Sequence, residues 1–126
     1  MPYCQEHNKA ILAYSPMQLG LLTGKFKPGQ KFEDSDLRST NKLFTPDNIE
    51  KVNAFLHKLQ PLADDKNATL AQLVIAWTIA QPGITVALVG ARNPKQATQN
   101  AKAGDVKLSG EDISFINDEL AKVQVG

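Results

Sequence analysis

The stretch PGITVALVGARNPKQATQN, residues 82 to 100, decides how this chain is read. Ile84 to Val89 is a continuous apolar, β-branched run between Pro82-Gly83 and Gly90, the pattern of a strand buried in a parallel sheet. Directly after it, Asn93 can cap a helix and Pro94 suits the first helical position, with Gly104 expected as the residue that closes that helix. Chemistry gathers at the join. Gly90 lets backbone approach a ligand closely, the capped helix N-terminus attracts an anion, and Arg92 offers a planar fork that matches phosphate. One turn further in, Gln96, Gln99 and Asn100 share a helix face by i,i+3 and i,i+4 spacing, so their amides can converge on a neutral heterocycle or ribose. Spacing alone also fits a capped surface helix with a polar face.

Seventy residues upstream stands a second segment of the same kind, AILAYSPMQLGLLTGKF, residues 10 to 26. Residues 10 to 14 read as a buried strand, and Ser15-Pro16 ends it, because proline bars its predecessor from the helical region and cannot donate to a ladder. The chain then turns at the strand's C-terminal edge, where parallel α/β folds keep their ligands. Tyr14, Ser15, the glycines at 20 and 24 and Lys25 could stack on a flat ring and bind phosphate oxygens. As residue types alone, the glycines serve equally as turn formers and Lys25 as solvated surface.

Between these segments, residues 26 to 45 hold Pro28, Gly29, Asp34, Asp36 and Arg38 with little periodicity, the composition of a long loop. Thr45-Pro46-Asp47 then begins a helix whose Ile49, Val52, Phe55, Leu56, Leu59 and Leu62 form one apolar face. Thr69 with Gln72 makes a capping box for a second helix carrying Leu70, Leu73, Val74 and Trp77, stopped by Pro82-Gly83. Ser109 with Asp112 repeats that signature for a last helix striped by Ile113, Ile116, Leu120 and Val123. The order is strand, long loop, two helices, strand, tight loop, helix, helix. One βαβ unit of this kind leaves two unpaired apolar strand edges, so the sequence reads as a slice of something larger.

A chain of 126 residues, 42% apolar and 21% charged with net charge +1, has the composition of one soluble globular domain. Its charges are mixed without runs, which argues against a nucleic-acid groove or a polybasic membrane patch. Cys4 stands alone and His7 and His57 are far apart, so neither a disulfide nor a metal knuckle is expected, and a reducing cytoplasm fits best. MPYCQEHNKA has no basic region leading into an apolar stretch, and no segment approaches the roughly 18 apolar residues of a membrane span.

Taken together, PYCQEHNKAILAYSPM, QLVIAWTIAQPGITVALVGARNPKQATQN and LSGEDI resemble the aldo-keto reductase family over nearly the whole chain. GLLTGK after SPM, with GARNPKQATQN, is most similar to the branch of bacterial general reductases and potassium-channel β subunits. The resemblance implies an α/β fold, the C-terminal segment of a (β/α)8 barrel comprising about the last two β/α units and the C-terminal helix. Residues 1–126 would then be a partial reductase domain that begins near the sixth helix and carries the NADP(H)-binding portion. By matching motif, Tyr14 would stack on nicotinamide. Ser15, Pro16, Met17, Gln18 and Leu19 would border the pyrophosphate loop, Lys25 would reach a phosphate, and Arg38 would add a contact from the long loop. Gly90, Arg92, Gln96, Gln99 and Asn100 match the positions that hold the adenosine 2′-phosphate and adenine, and Arg92 favours NADP(H) over NAD(H).

The family reduces aldehydes and ketones by hydride transfer from NADPH, with a tyrosine acid supported by lysine, aspartate and usually histidine. Those four belong to earlier strands, so the resemblance assigns no catalytic residue here, and Tyr3, Tyr14, His7 and His57 are not candidates. The reading is therefore the cofactor-binding portion of a reductase, inactive alone, meeting a carbonyl substrate only in a completed barrel. Two alternatives stay open: a non-enzymatic nucleotide-binding or self-associating module, and a chain completed by a separate polypeptide that supplies the earlier strands.

Overall fold

The computed structural model describes residues 1–126. Helix α1 (Pro2–Glu6) leads to strand β1 (Leu12–Tyr14), a 3-10 turn at Leu21–Thr23 and a long loop that ends in a second turn at Lys42–Phe44. Helices α2 (Pro46–Asp65) and α3 (Leu70–Ala80) follow, then strand β2 (Val86–Leu88), helix α4 (Pro94–Ala101), a turn at Lys102–Asp105 and helix α5 (Gly110–Ala121). The two strands pair in parallel, with Leu12 opposite Val86, Ala13 opposite Ala87 and Tyr14 opposite Leu88.

The helix starts are set by the caps that the sequence announces. Thr45 accepts from the Asn48 amide with Pro46 at the first position, and Asn93 accepts from the Gln96 amide with Pro94 in the same place. Both capping boxes close in both directions: Thr69 with Gln72, and Ser109 with Asp112. Pro61 lies inside α2 without ending it. It is exposed, and so is His57, whose carbonyl it deprives of a donor on the wet side of the helix.

The core lies among the helices and not on the sheet. Ile49, Val52, Phe55, Leu56, Leu59 and Ala63 of α2 pack with Leu73 of α3, Ile116 of α5, Leu21 and Phe44. Asn48, only 1% exposed, ties this core to the chain's last residue: its Nδ2 donates to the carbonyls of Lys42 (2.7 Å) and Gly126 (2.9 Å), and its Oδ1 accepts from the Gly126 amide at 3.1 Å.

Three expectations are corrected here. Residues 10–14 and 84–89 are not strands buried on both faces: each contributes three residues to the ladder, and Leu12 (56% exposed), Tyr14 (81%), Val86 and Leu88 stand on an open face. Only Ala13 and Ala87 turn toward the helical layer, because no second layer stands over the other side. Gly104 does not close α4 in a left-handed conformation. The helix ends at Ala101 and tightens into a 3-10 turn that buries Ala103, with Gly104 inside it. Val123 lies beyond the end of α5, which stops at Ala121, yet still packs partly buried against the core.

The long loop extends this core, with Phe44 a member of it and Phe26 and Phe32 packed against it. The rings of Phe26, Phe32 and Phe44 pack in tilted and edge-on contacts with centroids 5.4–5.6 Å apart. Asn53 of α2 holds the start of the loop by donating to the Phe26 carbonyl at 2.8 Å.

Candidate functional site

Because β1 and β2 run parallel, their C-terminal ends open on the same side, and the segments that follow them face each other across a cleft of about 800 Å³. One wall is Ser15, Pro16, Met17 and Leu19; the other is Leu88 to Arg92 with Gln96, Gln99 and Asn100 of α4. Lys25 and the loop residues Asp36, Leu37 and Arg38 complete it. Eleven of the thirteen residues expected at a cofactor site line this cleft. Tyr14 and Gln18 do not: Tyr14 projects from the open sheet face beside Leu88, and Gln18 is exposed outside the wall.

The wall after β1 is strained. Ser15 (φ 52°), Gln18 (47°) and Leu19 (54°) hold left-handed backbone without being glycine, followed by Gly20 at 88°. Successive tight turns impose this, with the Gln18 amide bonded to the Ser15 carbonyl and the Gly20 amide to the Met17 carbonyl, each at 3.0 Å. The amides of Met17 and Leu19 are left without an acceptor in the chain, so they can receive one from a ligand.

The opposite wall is built from capping chemistry. Gln96 Oε1 accepts from the Arg92 amide at 2.8 Å while its own amide donates to Asn93 Oδ1 at 2.8 Å. Asn100 Nδ2 donates to the Gly90 carbonyl at 3.1 Å, and buried Gln72 reaches from α3 to donate to the Gln99 carbonyl at 2.9 Å. The amides expected to converge on a ligand are thus partly spent on shaping the turn: Gln96 keeps its Nε2 and Asn100 its Oδ1 free of protein partners.

Charge in the cleft is net positive. Lys25 and Arg92 have no carboxylate within 4.0 Å, whereas Arg38 is paired with Asp36. The Asp36 carboxyl is lowered from 3.8 to about 2, chiefly by hydrogen bonds from the Arg38 side chain, then by the Arg38 amide, with a further attraction from Arg92. Phe26, Thr23, Ala71 and Asp36 were not foreseen as lining residues; the Asp-x-Arg pairing of 36 with 38 is the signal that could have exposed the last. No group of three or more His, Cys, Asp or Glu gathers anywhere to hold a metal ion, and no helix is long and apolar enough to cross a membrane. Tyr3 and His7 stack on each other with centroids 4.1 Å apart, and neither lines the cleft.

The sequence pattern that defines the Aldo/keto reductase family matches residues 1–120. An uncharacterized oxidoreductase of Mycobacterium tuberculosis is 34% identical over 118 residues, covering 94% of this chain and 36% of that protein. A probable voltage-gated potassium channel β subunit of Arabidopsis thaliana is 33% identical over 112 residues, covering 84% of this chain and 33% of that one. Among solved structures, the glycerol dehydrogenase AKR11B4 of Gluconobacter oxydans superposes with a TM-score of 0.88 at 31% identity, covering 99% of this chain and 38% of the other. The chain therefore spans about a third of the length of these relatives and has the fold of the C-terminal part of their β/α barrel.

Proposed function

The chain belongs to the aldo/keto reductase family, and we propose that it forms the cradle for a nicotinamide dinucleotide, NADP(H), within a barrel whose carbonyl reduction needs strands outside these 126 residues. The observation that carries this reading is the cleft itself: two segments far apart in sequence meet with unbonded amides at Met17 and Leu19, unpaired cations at Lys25 and Arg92, and a capped helix N-terminus. Those are the donors a pyrophosphate and a 2′-phosphate need. Arg92 supplies the fork for the 2′-phosphate, Lys25 a point charge for the pyrophosphate, and Gln96 Nε2, Gln99 and Asn100 Oδ1 the partners for adenine and ribose. NADPH, when bound, supplies a hydride to a carbonyl carbon.

No side chain here is assigned to move a proton, and the chain alone is inactive on this reading. Tyr14 stacks on nicotinamide only when the open face of the sheet is covered. That face, with both sheet edges unpaired, also favours association with the remaining β/α units, in the same polypeptide or another. The single cysteine, Cys4, fits a cytoplasmic setting.

The test is titration of NADPH and NADH by nucleotide fluorescence, with Arg92→Ala beside the wild type. Because Arg92 bonds to Gln96 through its main chain, removing the side chain leaves the turn intact. Loss of one charge-assisted contact should weaken NADPH about tenfold or more and leave NADH nearly unchanged. No saturable signal, or equal weakening of both nucleotides, refutes the assignment.

A further inference from the structure

An acidic side chain in the wall of a cleft built for a polyanion works against binding unless it does something else. Asp36 is such a residue, and the hydrogen bonds of its carboxylate are all with Arg38. Arg38 Nε donates to both carboxylate oxygens, at 2.9 and 3.0 Å, Nη2 donates to Oδ2, and the Arg38 amide donates to Oδ1 at 2.9 Å. The guanidinium also sits 5.4 Å from the Phe26 ring centroid and 5.0 Å from that of Phe32. Those rings belong to the aromatic cluster that Phe44 closes and that Asn53 ties to α2. Both partners of the pair are about three-quarters covered, with side chains 24% and 25% exposed.

We propose that Asp36 is a positioning residue for the dinucleotide: it locks the Arg38 guanidinium onto the phenylalanine cluster, so that the long loop meets the ligand already assembled. This rests on the cofactor reading above. An unrestrained arginine loses rotamer freedom when a ligand captures it; Arg38, which lines the cleft, has lost that freedom before the ligand arrives, and its Nη1 has no partner in the protein. Pairing also removes Arg38 from the net charge, so attraction to phosphate falls to Lys25 and Arg92 while Arg38 contributes shape and directed donors.

The two roles open to a carboxylate here predict opposite signs. If Asp36 is only a local negative charge, Asp36→Asn tightens NADPH and Asp36→Glu leaves it unchanged. If Asp36 positions Arg38, both variants weaken NADPH, by about tenfold for the loss of one charge-assisted bidentate contact. The experiment titrates NADPH into the 126-residue chain carrying Asp36→Asn, Asp36→Glu, Arg38→Ala and the double variant, with folding checked by circular dichroism. Exchange of the Arg38 Nε–H proton, followed by NMR without nucleotide, reads the clamp directly. Support consists of weakening in both single variants, a double variant no worse than Arg38→Ala, and faster Nε–H exchange in Asp36→Asn. Should Asp36→Asn fail to fold, Asp36→Glu decides by itself. Tighter or unchanged binding, or losses that multiply in the double variant, overturn the proposal while the cofactor reading stands; a wild-type chain that binds no nucleotide overturns both.

Discussion

Gln96→Glu should raise stability and lower NADPH affinity at once, two effects that no general damage to the fold produces together. Gln96 is the third residue of α4, and its Oε1 already accepts the Arg92 amide at 2.8 Å. Glutamate keeps an oxygen in that place and adds a negative charge at the positive end of the helix. The dipole and the charge-assisted bond together contribute about 0.5 kcal/mol. With roughly 2 cal/mol/K of unfolding entropy per residue, a chain of this length changes its Tm by about 4 °C per kcal/mol, so a rise of about 2 °C is expected in a calorimetric scan. The same charge lies beside Arg92, within reach of the proposed 2′-phosphate. At about 6 Å and an effective dielectric of 40–80, repulsion is about 0.7–1.4 kcal/mol per unit of phosphate charge, or about three- to tenfold in Kd. Loss of Nε2, the proposed partner for adenine or ribose, weakens NADPH and NADH alike, so the repulsion is read as the further three- to tenfold loss that NADPH alone shows. A lower Tm would refute the capping geometry, and equal weakening of NADPH and NADH would refute the placement of the phosphate.

Asn48→Ala removes three partly buried hydrogen bonds and leaves the Lys42 carbonyl with only the long 3.4 Å contact from the Thr45 amide, so the chain should lose about 2–4 kcal/mol and roughly 8–15 °C of Tm by differential scanning calorimetry. A change under about 2 °C would mean that Gly126 is not held as described. Acid should also destabilise the chain through Asp112, whose carboxyl lies below its ordinary 3.8, first through the Ser109 amide and then through Lys66. A carboxylate depressed in the folded state contributes stability above its unfolded pKa, and that contribution disappears as pH falls through the folded value. Asp112→Asn should therefore lower Tm near neutrality and flatten its decline below about pH 4; a decline as steep as in wild type would assign acid sensitivity to other groups.

What the sequence shows in advance is what depends on near neighbours. Thr45, Thr69, Asn93 and Ser109 cap their helices because a cap needs only an oxygen and an amide two or three residues on. The meeting of residues 15–25 with 88–100 was legible for a different reason: strands joined by helices run parallel, and parallel strands put their following loops on one side. Burial of the strands was not legible, since apolarity records what a face requires, whereas exposure depends on which layers are present. Nor was the left-handed backbone at Ser15, Gln18 and Leu19 visible, because only glycine or asparagine advertises positive φ. Phe26, Phe32 and Phe44 share no period, so this extension of the core emerges only in three dimensions.

The cleft and the open sheet face beside it differ in what holds them in place. Gln72 pins α4 to α3, Asn53 pins the aromatic loop to α2, and both helices belong to a core that makes no use of the open sheet face. The wall that carries Arg92 and Gln96 and the loop that carries Arg38 are thus both supported from within these 126 residues. Tyr14 has no such support, because its only neighbours across the ladder are on that same uncovered face. On the proposed reading, the phosphate-gripping and ring-stacking duties of one cofactor rest on different foundations, the first on helix packing inside the chain and the second on closure of the barrel.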